Sequence, residues 1–135
     1  LLPYWKTSNR YLFSGGSVNM RDAAVYAKEE NWSKAVELWK QTYETKKGKQ
    51  KMYAAYNTAL GYEMQDSIDT ALEWALKAQT LAREKSKTDK KETGEIHDGT
   101  ISYYIFISMY VDELEKRKEG MARLNMQMNR FDDDF

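Results

Sequence analysis

Shifted by 36 residues, the chain partly overlays itself: Ala23 falls on Ala59, Tyr26 on Tyr62, Ala35 on Ala71 and Glu37 on Glu73, with Trp32 on Ile68 and Val36 on Leu72. Small and aromatic residues that return at a fixed period of this length mark stacked helical hairpins, because one hairpin cannot bury its apolar face without a neighbour. The period therefore predicts an all-α fold with two equivalent repeat units. The residue types say why the units stack. Alanine at positions 23, 35, 59 and 71 lets two helices cross closely, while Tyr26, Trp32, Tyr62 and Trp74 fill the space beside each crossing.

Helix punctuation divides the rest. Pro3 stands ahead of the aromatic run Tyr4, Trp5, Tyr11, Leu12 and Phe13, which reads as a short leading helix, since proline suits a first turn. Gly15-Gly16 stops it, and Ser17 or Asn19 can cap a second helix reaching about Glu30. Asn31 caps a third, and Lys46-Lys47-Gly48-Lys49 breaks the pattern. In the second unit Met52 to Tyr62 and Ala71 to Leu81 form the paired helices around a turn at Asp66-Ser67. Lys85 to Gly99, rich in Lys, Thr, Glu and Asp, reads as a solvated loop. Beyond it Ile101 to about Asn129 is predicted to be one long C-terminal helix, apolar nearly all round in its first half.

Composition removes several function classes. Twenty-one basic residues balance twenty-one acidic ones, so no overall field draws the chain to nucleic acid or an anionic membrane. The lysines of the 85–91 stretch alternate with acids and lack an aromatic platform, which argues against a nucleic-acid patch. The chain has no cysteine and one histidine, so neither a thiolate metal site nor a Cys-His nucleophile can be assembled. His97 reads as a solvated loop residue, and Gly15-Gly16-Ser17 lacks the lysine and spacing of a phosphate loop. Expected are no catalytic residue, no metal site and no cofactor. The opening Leu1-Leu2-Pro3, without a methionine, reads as the start of a C-terminal fragment of a longer protein, 1–135 being a single domain.

The landmarks of the two units resemble the tetratricopeptide repeat. Ala35 and Ala71 match its small position in the second helix, Ala23 and Ala59 its first small position, Tyr26 and Tyr62 its tyrosine, and Ala78 its last alanine. The period departs from the usual value of about 34. Thr42 stands where the first unit's last alanine belongs, and the closing prolines are missing. More narrowly, Pro3-Tyr4-Trp5, Arg10-Tyr11, Gly15-Gly16, Asn31-Trp32, Leu38-Trp39, Ala55-Tyr56-Asn57, Glu63 and Ala71-Leu72-Glu73-Trp74 resemble domain-of-unknown-function family 6340, a group of bacterial envelope lipoproteins. That resemblance implies a periplasmic or outer-membrane lipoprotein held only by an upstream lipid anchor, with no known activity.

Binding is the expected role. By the repeat resemblance, first helices line a concave groove, which would present Met20, Ala24 and Lys28 from one unit and Tyr53, Tyr56, Asn57, Leu60 and Glu63 from the other. Asn57 matches an asparagine that clamps peptide carboxylates, but the rest of that clamp is missing, so Asn57 is read as bonding between helices. Along the last helix Ile107, Tyr110, Leu114, Met121, Leu124, Met128 and Phe131, with Arg117 interrupting, fall at heptad spacing. This stripe either folds back or ends near Gly120, or it forms a short coiled coil with a second copy or another protein. Three roles follow: a module binding a protein or peptide, a glycan-binding domain using exposed tyrosines and Trp5, or a spacer whose groove is filled by its own long helix.

Overall fold

The computed structural model describes residues 4–7, 10–93 and 98–133. Two strands, β1 (Tyr4–Thr7) and β2 (Arg10–Phe13), precede α1 (Val18–Lys28), α2 (Trp32–Thr45), α3 (Lys49–Met64), α4 (Ile68–Thr93) and α5 (Asp98–Asp133). The fold is all-α apart from that hairpin, whose antiparallel register sets Tyr4 against Phe13 and Thr7 against Arg10.

The leading segment is thus a β-hairpin and not the expected short helix. Proline at position 3 suits a strand entry as well as a helix start, and the two aromatic runs favour extended backbone. They are separated in sequence by only Ser8 and Asn9. Burial decides between the two forms, for β2 sends Leu12 and Phe13 into the core and docks its backbone on α3.

The repeat is written into the backbone as well as the side chains. At the end of α1 the Asn31 amide bonds the Tyr26 carbonyl at 2.9 Å and the Glu30 amide bonds the Ala27 carbonyl at 3.0 Å. At the end of α3 the Ser67 amide bonds Tyr62 at 2.9 Å and the Asp66 amide bonds Glu63 at 3.0 Å. Both are Schellman closures, and both put a non-glycine residue in the left-handed region, Glu30 at φ 60° and Asp66 at φ 62°. Ser17 caps α1 by accepting from the Met20 amide, and Asn31 caps α2 by accepting from the Lys34 amide.

Helix α3 is the centre of the molecule. Every residue from Met52 to Gly61 is buried, which leaves it no solvent face. Helices α2 and α4 pack along it most extensively, and β2 packs on it as well. The alanines at 23, 35, 59, 71 and 78 are all fully buried, as close helix crossing requires. Gly61 marks a close helix approach: a Cβ there would collide with Val36 Cγ2 of α2. Thr42, where the repeat resemblance expects an alanine, satisfies its hydroxyl by donating to the Leu38 carbonyl at 3.0 Å.

The stretch expected as a loop is mostly helix. Helix α4 continues to Thr93, because residues 82–93 contain neither glycine nor proline and are rich in helix-forming Lys, Arg and Glu. Only 94–97 of that loop, including His97, lie outside the described residues. Helix α5 runs straight through Gly120, so the glycine does not end it.

Candidate functional site

The α3 face that the repeat resemblance assigns to a ligand carries Tyr53, Tyr56, Asn57, Leu60 and Glu63, all buried. The chain's own β2 and α5 cover it. Asn57 does not join two helices. Its Nδ2 donates to the Phe13 carbonyl at 2.6 Å and its Oδ1 accepts from the Phe13 amide at 2.9 Å, so the side-chain amide pairs with β2 as one residue of a neighbouring strand would. Tyr56 Oη donates to the Tyr11 carbonyl at 2.6 Å. Phe13 stacks on Tyr53 at 4.2 Å between ring centroids, and Tyr53 and Tyr103 share a hydroxyl hydrogen bond of 2.8 Å. Met20 and Ala24 are buried as well, and only Lys28 of the eight is exposed.

The charged centre of this region is Glu63, 3% exposed. Its Oε1 accepts from Arg10 Nε at 3.1 Å and from the Tyr110 hydroxyl at 2.9 Å. Its Oε2 accepts from Arg10 Nη2 at 3.1 Å and from Arg117 Nη1. Arg10 Nη1 in turn donates to Glu113 Oε2 at 2.9 Å. One carboxylate therefore ties the hairpin, α3 and α5 together. Burial alone would push the Glu63 carboxyl up, but the bonds from Arg10, Arg117 and Tyr110 outweigh it and hold it below the usual carboxylate range. Burial, reinforced by the Glu63 charge, pushes the Tyr110 hydroxyl well up. A carboxylate neutralised by two guanidinium groups is a poor proton shuttle, so the cluster's chemistry is that of a fastener.

Glu63 reads from sequence as one more charged helix position. The signal that could have found it is its register: Tyr56, Leu60 and Glu63 share the buried stripe of α3, and a carboxylate there needs cationic partners.

Next to this cluster lies a cavity of about 220 Å³ between β2 and α5, lined by Tyr11, Tyr56, Phe106, Met109 and Tyr110 with Arg10 and Glu113 at its edge. Trp5, the other aromatic proposed for ligand stacking, has a side chain outside the described residues.

The heptad stripe is divided. Leu114 is fully buried in the core, and Arg117 is spent on Glu63. From Met121 to Arg130 every residue is exposed, with Met121 at 42%, Leu124 at 54% and Met128 at 57%. Helix α5 passes the α3–α4 turn, where Lys118 bonds Asp69 at 3.1 Å and a shallow cleft takes in Met121 and Asn125. It then continues past the bundle. The side chains of Phe131 and Asp132-Asp133, and all of Asp134, lie outside the described residues.

Among the described residues no group of His, Cys, Asp or Glu is arranged to hold a metal ion, and no helix is long and apolar enough to cross a membrane. A family model described as a domain of unknown function (DUF6340) matches residues 21–116. The chain belongs to the DUF6340 family. No curated protein and no solved structure matches it. The DUF6340 match takes in α1 from Arg21, α2 to α4 and the first part of α5, Glu63 and Arg10's partner Glu113 included, and ends at Lys116, just before Arg117.

Proposed function

We propose that this chain is a non-catalytic interaction and scaffolding module, a pair of tetratricopeptide-like hairpins whose contact surface is the overhanging end of α5. The observation that carries the reading is the exposed run from Met121 to Arg130, in which Leu124 and Met128 follow Met121 at the edge of the α3–α4 turn. An isolated helix of this length is marginal in water, and methionine and leucine at spacings of three and four present a seam that another helix can bury. With the α3 face covered by β2 and α5, this seam is the surface proposed to receive a partner, and the partner proposed is a second copy of the same chain. The tetratricopeptide assignment is supported by the buried alanines at 23, 35, 59, 71 and 78. Placement in a bacterial envelope, on a lipid anchor upstream of these residues, rests on the family resemblance drawn from the sequence.

Light scattering over a range of concentrations tests the assembly. The chain should pass from monomer to dimer as concentration rises, and Leu124→Asp combined with Met128→Asp should hold it monomeric with an unchanged helical spectrum. A monomer at every concentration, or a dimer insensitive to both aspartates, would overturn the reading.

A further inference from the structure

We infer that the cavity between β2 and α5 is a binding site for a single uncharged pyranose ring, stacked on Tyr11 and Phe106 and hydrogen-bonded at its edge by Arg10 and Glu113. Its volume, about 220 Å³, sets the size of the guest. Apolar cavities of roughly 150 Å³ admit benzene, so this space, open to solvent on one side, has room for one six-membered ring with substituents. Its walls are aromatic: Tyr11 and Phe106 stand 6.5 Å apart at 60°, and Phe106 lies 5.3 Å from Tyr56. Such walls offer flat apolar faces to the C–H face of a sugar.

Charge narrows the class further. A cationic guest is disfavoured because the Arg10 guanidinium already sits 5.4 Å from the Tyr110 ring centroid. An anionic guest finds the Arg10 guanidinium already committed to Glu63 and Glu113 and meets the Glu113 carboxylate beside it. The guest is therefore neutral. A purely apolar side chain would strip water from Arg10 and Glu113 and return no hydrogen bond, which penalises it. A pyranose supplies both requirements, an apolar face for the rings and hydroxyls that can donate to the carboxylate, whose two oxygens offer about four acceptor sites.

The test is a titration of the full chain, labelled at its methionine methyl groups, with methyl glucoside, methyl galactoside, methyl mannoside and N-acetylglucosamine, followed by nuclear magnetic resonance. At least one sugar should shift the Met109 methyl signal saturably at millimolar concentration. Tyr11→Ala should weaken that sugar about fivefold to tenfold, the effect of losing one aromatic face worth roughly 1–1.4 kcal/mol. Glu113→Gln, which keeps the shape and removes the charge, should weaken it as well. N-acetylphenylalaninamide serves as the peptide probe. Binding of that probe with no sugar response would assign the cavity to an aromatic side chain and overturn the proposal. Sugar binding that neither variant alters, or no saturable shift with any probe, would overturn it too.

Discussion

Glu63 is the residue on which three parts of the molecule converge, and its removal is the sharpest single-residue test of the fold. Changing it to glutamine leaves two guanidinium groups facing an amide. Breaking a fully buried ion pair costs about 3–5 kcal/mol. Arg10 keeps Glu113 and Arg117 is partly exposed, so Glu63→Gln should cost less, about 2–3 kcal/mol in urea unfolding at neutral pH. The exposed partner is the control: Glu113→Gln should cost under about 1 kcal/mol. Acid supplies a second readout. Because the folded state holds the Glu63 carboxyl below its unfolded value of about 4.3, its contribution is present above that pH and lost as pH falls through the lower folded value. The gap between the wild type and Glu63→Gln should therefore close in acid, and a gap that stayed constant would remove Glu63 from this role. Little of this was legible in the sequence. The register of Glu63 with Tyr56 and Leu60 hints at burial but names no partner, and its two arginines lie 53 and 54 positions away.

Among the elements, the two helical hairpins were the legible part, because a 36-residue period imprints the same small and aromatic residues on two stretches of chain. The cap at Asn31 was legible from local residue type, and the cap of α1 was narrowed to Ser17 or Asn19, of which Ser17 is the one that bonds. The leading hairpin was not, since four-residue aromatic runs satisfy helix and strand patterns equally and only docking on Asn57 decides between them. Composition also misled at 85–93, where lysine and glutamate suit a helix surface as well as a loop. The equivalence of the hairpins yields a prediction the sequence period alone could not. Glu30 and Asp66 occupy the same left-handed position, where a side chain costs roughly 1–2 kcal/mol and glycine does not. Glycine's larger unfolded entropy offsets about 0.5–1 kcal/mol of that. Glu30→Gly should raise stability by about 0.5–1 kcal/mol in thermal or urea unfolding, and Asp66→Gly by less, because aspartate tolerates this conformation better. Loss of stability in both variants would mean that the two turns are not closed as described.

On the scale of the whole molecule, the chain is a sealed body with a projecting helix, and Phe13 is what seals it. The ring lies among Tyr53, Tyr56, Tyr103 and Phe106, with centroid separations from 4.2 to 6.2 Å, so one strand residue fills the seam between α3 and α5. The strand's backbone is fixed separately by Asn57 and Tyr56. Phe13→Ala removes the ring and leaves those bonds in place, which isolates the packing contribution. Truncating a fully buried phenylalanine costs about 3–5 kcal/mol, through lost transfer energy and the cavity left behind. If the hairpin belongs to the same cooperative unit as the helices, the variant should lose that much in a single unfolding transition, with hydrogen-exchange protection falling in α3 and in the hairpin alike. A loss under about 1 kcal/mol, or protection lost from the hairpin alone, would mean that β1 and β2 open independently of the bundle. The part of the α3 face that β2 covers, Asn57 in particular, would then be reachable by an outside peptide, and the groove read from the repeat would return as the place to look for a ligand.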